Sequence, residues 1–98
     1  MIYLTATLKI KPGTFDAIRE AVMPCIEATR QEPGCISYDL YASVSDSESM
    51  IFVERWKSRD ALTEHFSMPH LIAWREAGAD YFVDRKIEII HPERVETL

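Results

Sequence analysis

The sequence predicts an α+β domain in which one antiparallel sheet carries helices on a single face. Three observations predict it. Apolar residues alternate with period two in several separate segments, they recur at helical spacing in others, and the segments run strand, helix, strand, strand, helix, strand.

Residues Ile2 to Ile10 form the first strand. Ile2, Leu4, Ala6, Leu8 and Ile10 share one face, and Tyr3, Thr5, Thr7 and Lys9 share the other. Pro12-Gly13 ends it, and Thr14 is suited to cap a helix. Phe15, Ile18, Val22, Cys25, Ile26 and Thr29 then recur at helical spacing. Pro24 falls inside this helix, removes one backbone hydrogen bond and is expected to kink it near Glu20. Pro33-Gly34 closes it.

Cys35 to Ala42, rich in Ile and Tyr, is the second strand. Polar Ser43 to Ser49 makes a hairpin loop, and Met50 to Trp56 is the third strand. Ser58 caps a short helix, with Asp60 in the first turn where negative charge suits the dipole. Ala61, Leu62, His65 and Phe66 lie on one side of that helix. Pro69 fits the first turn of another, where its missing N–H costs nothing. Leu71, Trp74, Ala77 and Tyr81 line this last helix, which Gly78 ends or interrupts. Arg85 to His91 is the fourth strand, and Pro92 stops it.

The order is the ferredoxin-like β-α-β-β-α-β pattern, a four-stranded antiparallel sheet with the second helical region in two pieces. The strands are apolar on both faces: Ile51 and Val53 oppose Met50, Phe52 and Trp56, and Ile87 and Ile89 oppose Ile90. Such a sheet needs two covers. The helices supply one. A second copy of the same sheet is the simplest other, so a two-fold homodimer through the sheet face is expected.

Composition narrows the function classes. The 98 residues suit one domain, 1–98, and 47% hydrophobic with 28% charged residues is ordinary for a globular chain. A net charge of −5, with its basic residues scattered, argues against nucleic-acid binding. No apolar run approaches the roughly 18 residues of a membrane span. The N-terminus alternates as a strand and does not read as a signal peptide. Cys25 and Cys35 fit no zinc spacing and are expected as reduced thiols, which together suggest a cytoplasmic protein.

More specific features lie along the chain. The third strand ends Glu54-x-Trp56, the short helix carries His65, and a Pro69-His70 step follows. Pro12-Gly13 follows the first strand, and Glu32-Pro-Gly-Cys-Ile-Ser-Tyr38 leads into the second. On these features the chain resembles the antibiotic biosynthesis monooxygenase family over essentially its whole length. The family includes quinol and anthrone monooxygenases, haem-degrading enzymes and an isomerase of a phosphorylated sugar. The resemblance implies a dimeric α/β barrel with a pocket between helices and sheet in each protomer. For the monooxygenase branch it implies no metal and no flavin. There the substrate, as a phenolate or enolate, donates an electron to O₂.

Such a protein must bind an electron-rich ring, remove a proton and stabilise the anion. His65 and His70 are the candidate catalytic bases, since histidine titrates nearest neutrality. Trp74, Phe66 and Phe52 are candidates for the apolar wall, and Arg55 or Arg75 for stabilising an oxyanion. Each residue has a plainer reading: His65 as a hydrogen-bonded core histidine, His70 as an organiser of its turn, Trp74 as core. Glu54 and Trp56 are expected to position the strand-to-helix turn. Tyr38 and Tyr41 receive no assignment, and His91 is expected at the surface. No metal is expected, because His65 and His70 are separated by a proline break and no neighbouring Cys or acidic residue completes a set. Haem-degrading relatives use an Asn, a Trp and a His where this chain has Ala6, His65 and Arg75, which argues against that route. Three readings stand: a cofactor-independent monooxygenase of a small quinol or polyphenol, a non-oxidative isomerase or proton-transfer enzyme, and a non-catalytic dimeric binding module. Residues Glu93 to Leu98 are a tail or an arm to the partner.

Overall fold

The computed structural model describes residues 1–98. β1 (Ile2–Ile10) leads into α1 (Phe15–Thr29) and then the hairpin of β2 (Cys35–Ala42) and β3 (Ser49–Trp56). The helices α2 (Arg59–Phe66) and α3 (Pro69–Gly78) follow, then a 3₁₀ turn (Ala79–Tyr81) and β4 (Phe82–Ile90). The strands form one antiparallel sheet in the order β2-β3-β1-β4, the ferredoxin-like arrangement.

Register explains which side chains face the helices. Ala6 pairs with Phe52 on one side and Ile87 on the other, so these three stand on one face at the sheet's centre. Leu4, Leu8, Ile10, Met50, Phe52 and Trp56 are buried on that face against Ile18, Val22, Cys25 and Ile26 of α1. The opposite face carries Tyr3, Thr5, Tyr41, Ile51, Val53, Lys86 and Glu88, all half-buried or exposed.

Several boundaries and contacts differ from the sequence reading. β4 begins at Phe82 rather than Arg85, because the 3₁₀ turn delivers the chain straight to the sheet edge, and it ends at Ile90. β3 begins one residue early, at Ser49. Thr14 does not cap α1 with its side chain; its hydroxyl instead donates to the Lys11 carbonyl at 2.6 Å. As expected, α1 contains Pro24 within one continuous helix, and both Pro24 and Glu20, whose carbonyl loses its partner there, stand exposed to water. Ala77 is exposed, and the buried stripe of α3 is Leu71, Trp74 and Gly78. Gly78 holds that place because a Cβ there would lie 3.1 Å from the Trp74 and Phe82 rings. Ser58 does cap α2, accepting from the Ala61 N–H at 3.1 Å. No helix is long and apolar enough to cross a membrane.

Candidate active site

The site begins at the turn after α1. Gly34 lies so close to α2 that a Cβ there would sit 2.3 Å from Ala61 Cβ, and its carbonyl accepts from the Lys57 N–H at 2.9 Å. This close approach carries Glu32, two residues earlier, against α2 and α3. Glu32 Oε2 lies 2.8 Å from His65 Nδ1 and 2.8 Å from His70 Nε2. A carboxylate only accepts, so both ring nitrogens donate to it. One carboxylate thus joins three elements, with the Glu32 and His65 side chains 8% and 2% exposed and His70 21%.

That bond also sets the chemistry of His65. With Nδ1 protonated, the neutral ring keeps its lone pair on Nε2, which makes no hydrogen bond within the protein. Burial pushes the His65 pKa down, and Glu32 opposes the shift. The imidazole is therefore neutral at pH 7 and able to accept a proton. It packs 4.6 Å from the Trp56 ring and meets the edge of Tyr38 at 5.4 Å.

His65 lines a cavity between helices and sheet. Ala6 leaves room at its floor, where neighbouring β1 positions carry Leu4 and Leu8. Phe52, Phe66, Trp74 and Phe82 form the apolar walls, with Phe52 and Phe82 meeting Trp74 edge-on at 6.2 and 5.7 Å. The free volume between these walls is about 40 Å³, room for a water or an O₂ molecule, so an aromatic ring fits only when the wall side chains move apart. Beside it lies a shallow depression of about 600 Å³ that shares Arg75, Phe82 and Arg85 with the cavity.

Polar groups converge on the same space. Glu54 is 4% exposed, and its Oε1 accepts from the Trp56 indole N–H at 3.1 Å. Burial raises its pKa to about 7, against the opposing effects of Trp56 and Arg75. Burial and the Glu54 charge push the Tyr38 phenol up, so it stays protonated. The Arg75 field reaches Tyr38, Glu54 and His65 alike, and its guanidinium sits 5.8 Å from the Phe66 ring centroid.

Of the residues singled out in the sequence, His65, Phe66, Phe52, Trp74 and Arg75 meet in this cavity. His70 does not line it and joins the site through Glu32, with its ring centroid 6.2 Å from that of His65. Arg55 is displaced altogether. It stands on the opposite face of the sheet, in register with Tyr3, and donates to Ser37 Oγ at 2.8 Å. Glu54, expected to shape a turn, instead lines the cavity, as do Tyr38 and Arg85. Glu54 and Arg85 had a legible signal, since each interrupts an inward-facing apolar series (Phe52-x-Glu54-x-Trp56 and Arg85-x-Ile87-x-Ile89). Glu32 stood in the motif before the second strand, but nothing local gave it a role, because its partners lie more than 30 residues away.

Glu32 also corrects the expectation that no acidic residue accompanies the two histidines. Its oxygen and their ring nitrogens lie within 4.8 Å of one another, a set able to hold a metal ion. The two 2.8 Å contacts are those of N–H donors on a shared oxygen. A bound ion would have to replace both protons and spread the three atoms to metal-ligand spacing.

Comparison with known proteins agrees with this architecture. The family described as antibiotic biosynthesis monooxygenase matches residues 1–77. The chain is 34% identical over 79 residues to the Synechocystis protein sll1783, covering 81% of this chain and 54% of that protein. It is 43% identical over 65 residues to Rv0793 of Mycobacterium tuberculosis, covering 66% of this chain and 63% of that one. These two matches therefore span only part of each relative's length. YgiN of Escherichia coli, named "Probable quinol monooxygenase", is 26% identical over 102 residues, with 94% and 98% of the chains covered. The solved structure of Rv0793 superimposes with a TM-score of 0.88 at 29% identity over 98% of both chains.

Proposed function

Because the chain belongs to the antibiotic biosynthesis monooxygenase family, we propose that it oxidises a small quinol or polyphenol with O₂, needs no metal or organic cofactor, and uses His65 as the base. The observation that carries this reading is the His65 ring, neutral by burial, anchored through Nδ1 on Glu32 and facing an apolar cavity with Nε2 free. Trp74, Phe66 and Phe52 move apart to admit the ring of the substrate, which then rests against them. His65 takes a hydroxyl proton, and Arg75 stabilises the phenolate.

The balance of the reaction follows from the substrate's own chemistry. The phenolate delivers electrons to O₂, and a C–O bond forms at the ring carbon beside it to give a hydroperoxide. Loss of that carbon's proton breaks the O–O bond. One oxygen stays as a carbonyl and the other leaves as water, so quinol plus O₂ becomes hydroxyquinone plus water. Glu54, with a pKa of about 7, is suited to supply the proton that departs with the water.

The test is oxygen uptake by the cofactor-free protein with hydroquinones and naphthols, corrected for autoxidation. Folded His65→Ala should lose about 100-fold or more in rate. His70→Ala should lose less, since Nε2 of His65 remains. Chelator treatment should leave uptake unchanged. No uptake across the panel, or equal uptake in His65→Ala, refutes the reading. One feature favours a second reading: Glu54 and His65 are two acid–base groups in one cavity, as a non-oxidative isomerase would use. Turnover without O₂ would identify that reaction. We further propose that two copies pair through the open sheet face, whose Ile51 and Val53 the helices leave uncovered.

A further inference from the structure

Arg85 is exposed on the edge strand β4, yet it stands on the helix-facing side of the sheet, in register with Leu8. The helix-facing positions of the sheet are filled almost throughout by apolar residues: Leu4, Ala6 and Leu8 on β1, Phe52 and Trp56 on β3, Ile87 on β4. Two charged side chains, Glu54 and Arg85, break that series, and both line the cavity. Glu54 is matched by the Trp56 indole N–H. Arg85 makes no salt bridge, although the chain carries 16 acidic residues against 11 basic ones. The nearest acid in sequence, Asp84, has its Oδ1 occupied by Arg85's own backbone N–H at 2.8 Å.

Its location adds the second part of the argument. Arg85 belongs both to the cavity wall and to the outer depression, as do Arg75 and Phe82. Arg75 is also exposed, with its guanidinium 5.8 Å from the Phe66 ring centroid, and its field reaches His65 and Glu54. Arg85 lies in register with Leu8, one inward position before Ile87, at the end of β4 that meets α3 through the 3₁₀ turn. The mouth of an apolar cavity is thus flanked by two guanidiniums with no salt-bridge partner. A guanidinium offers a planar fork of donors that matches a carboxylate in bidentate fashion.

We infer that the substrate is an aromatic hydroxyl compound bearing an anionic substituent, a carboxylate or its equivalent, and that Arg85 is the residue that recognises it. The inference rests on the ring-binding reading of the cavity. The ring lies across the mouth with its hydroxyl toward His65 and its acidic group outward on Arg85. Neutral rings of the same size lose that contact.

The experiment uses the full chain and two probes, 1-naphthol and 4-hydroxy-1-naphthoate, titrated without oxygen so that neither is turned over, by quenching of the fluorescence of Trp56 and Trp74. In the wild type the naphthoate should bind about tenfold more tightly, as expected for one charge-assisted contact. That advantage should shrink with added salt. In Arg85→Met, which keeps the apolar stem, the two probes should bind equally, and Arg85→Lys should recover part of the difference. Circular dichroism checks that each variant is folded. Equal binding of the two probes to the wild type, or an advantage that survives in Arg85→Met, overturns the inference while leaving the ring site standing. Binding of neither probe overturns the ring site and the inference with it.

Discussion

Glu54 shows how a single buried group couples activity to stability. Its folded-state pKa of about 7 lies above the ordinary 4.5, so the native state holds a proton that the unfolded chain releases. Stability from this group is therefore full below pH 4.5 and is lost as pH rises through about 7, a change on the order of 3 kcal/mol. His65 acts in the other direction. Its lowered pKa favours the neutral ring, so its contribution is lost as pH falls below the ordinary 6.5. Glu54→Gln keeps an oxygen for the Trp56 indole but cannot titrate. Urea unfolding at several pH values should show the variant gaining on the wild type between pH 4.5 and 8, while oxygen uptake falls. A flat stability difference across that range would refute the buried-carboxylate account.

At the scale of elements, the decisive contact is the turn after α1 against α2. Gly34 is required there by space, since a methyl group would overlap Ala61. Gly34→Ala must push the turn from α2 and so separate Glu32 from His65. The expected cost is about 1–3 kcal/mol of stability, as for overpacking elsewhere, with a loss of activity beyond what the stability change accounts for. Urea midpoints and oxygen uptake measure the two effects. Wild-type values for both would show that the close approach is not needed. α3 depends on a similar fit at Gly78, where Trp74 and Phe82 close over the helix. The same packing sets one wall of the cavity, so shape at the end of α3 controls access.

For the whole molecule, the uncovered sheet face matters most. Tyr41 and Ile90 are about half exposed, and Ile51 and Val53 stand beside them half-buried in the isolated chain. Val53 sits between Thr5 and Asp39 in the sheet, so Val53→Glu sets a second carboxylate beside Asp39 and removes an apolar contact. Sedimentation equilibrium should give twice the 11.3 kDa chain mass for the wild type and the single mass for the variant. A monomeric wild type would refute the dimer. If the dimer forms, the melting temperature should rise with protein concentration.

The sequence by itself determined the order of strands and helices, the Ser58 cap and the inward face of β1. Those features follow from period, capping chemistry and turn residues, which act over a few positions. It also determined that His65 faces the core, because helical spacing places it beside Leu62. Only the tertiary structure decided what His65 does there. Glu32 reaches both histidines because Gly34 lets a distant turn settle on α2, and no local pattern encodes that approach. Arg55 and Arg85 make the same point in opposite senses. Strand alternation assigns a residue to a face once the register is known, and register is a property of pairing between strands distant in sequence. That pairing sent Arg55 to the open face and brought Arg85 to the mouth of the cavity.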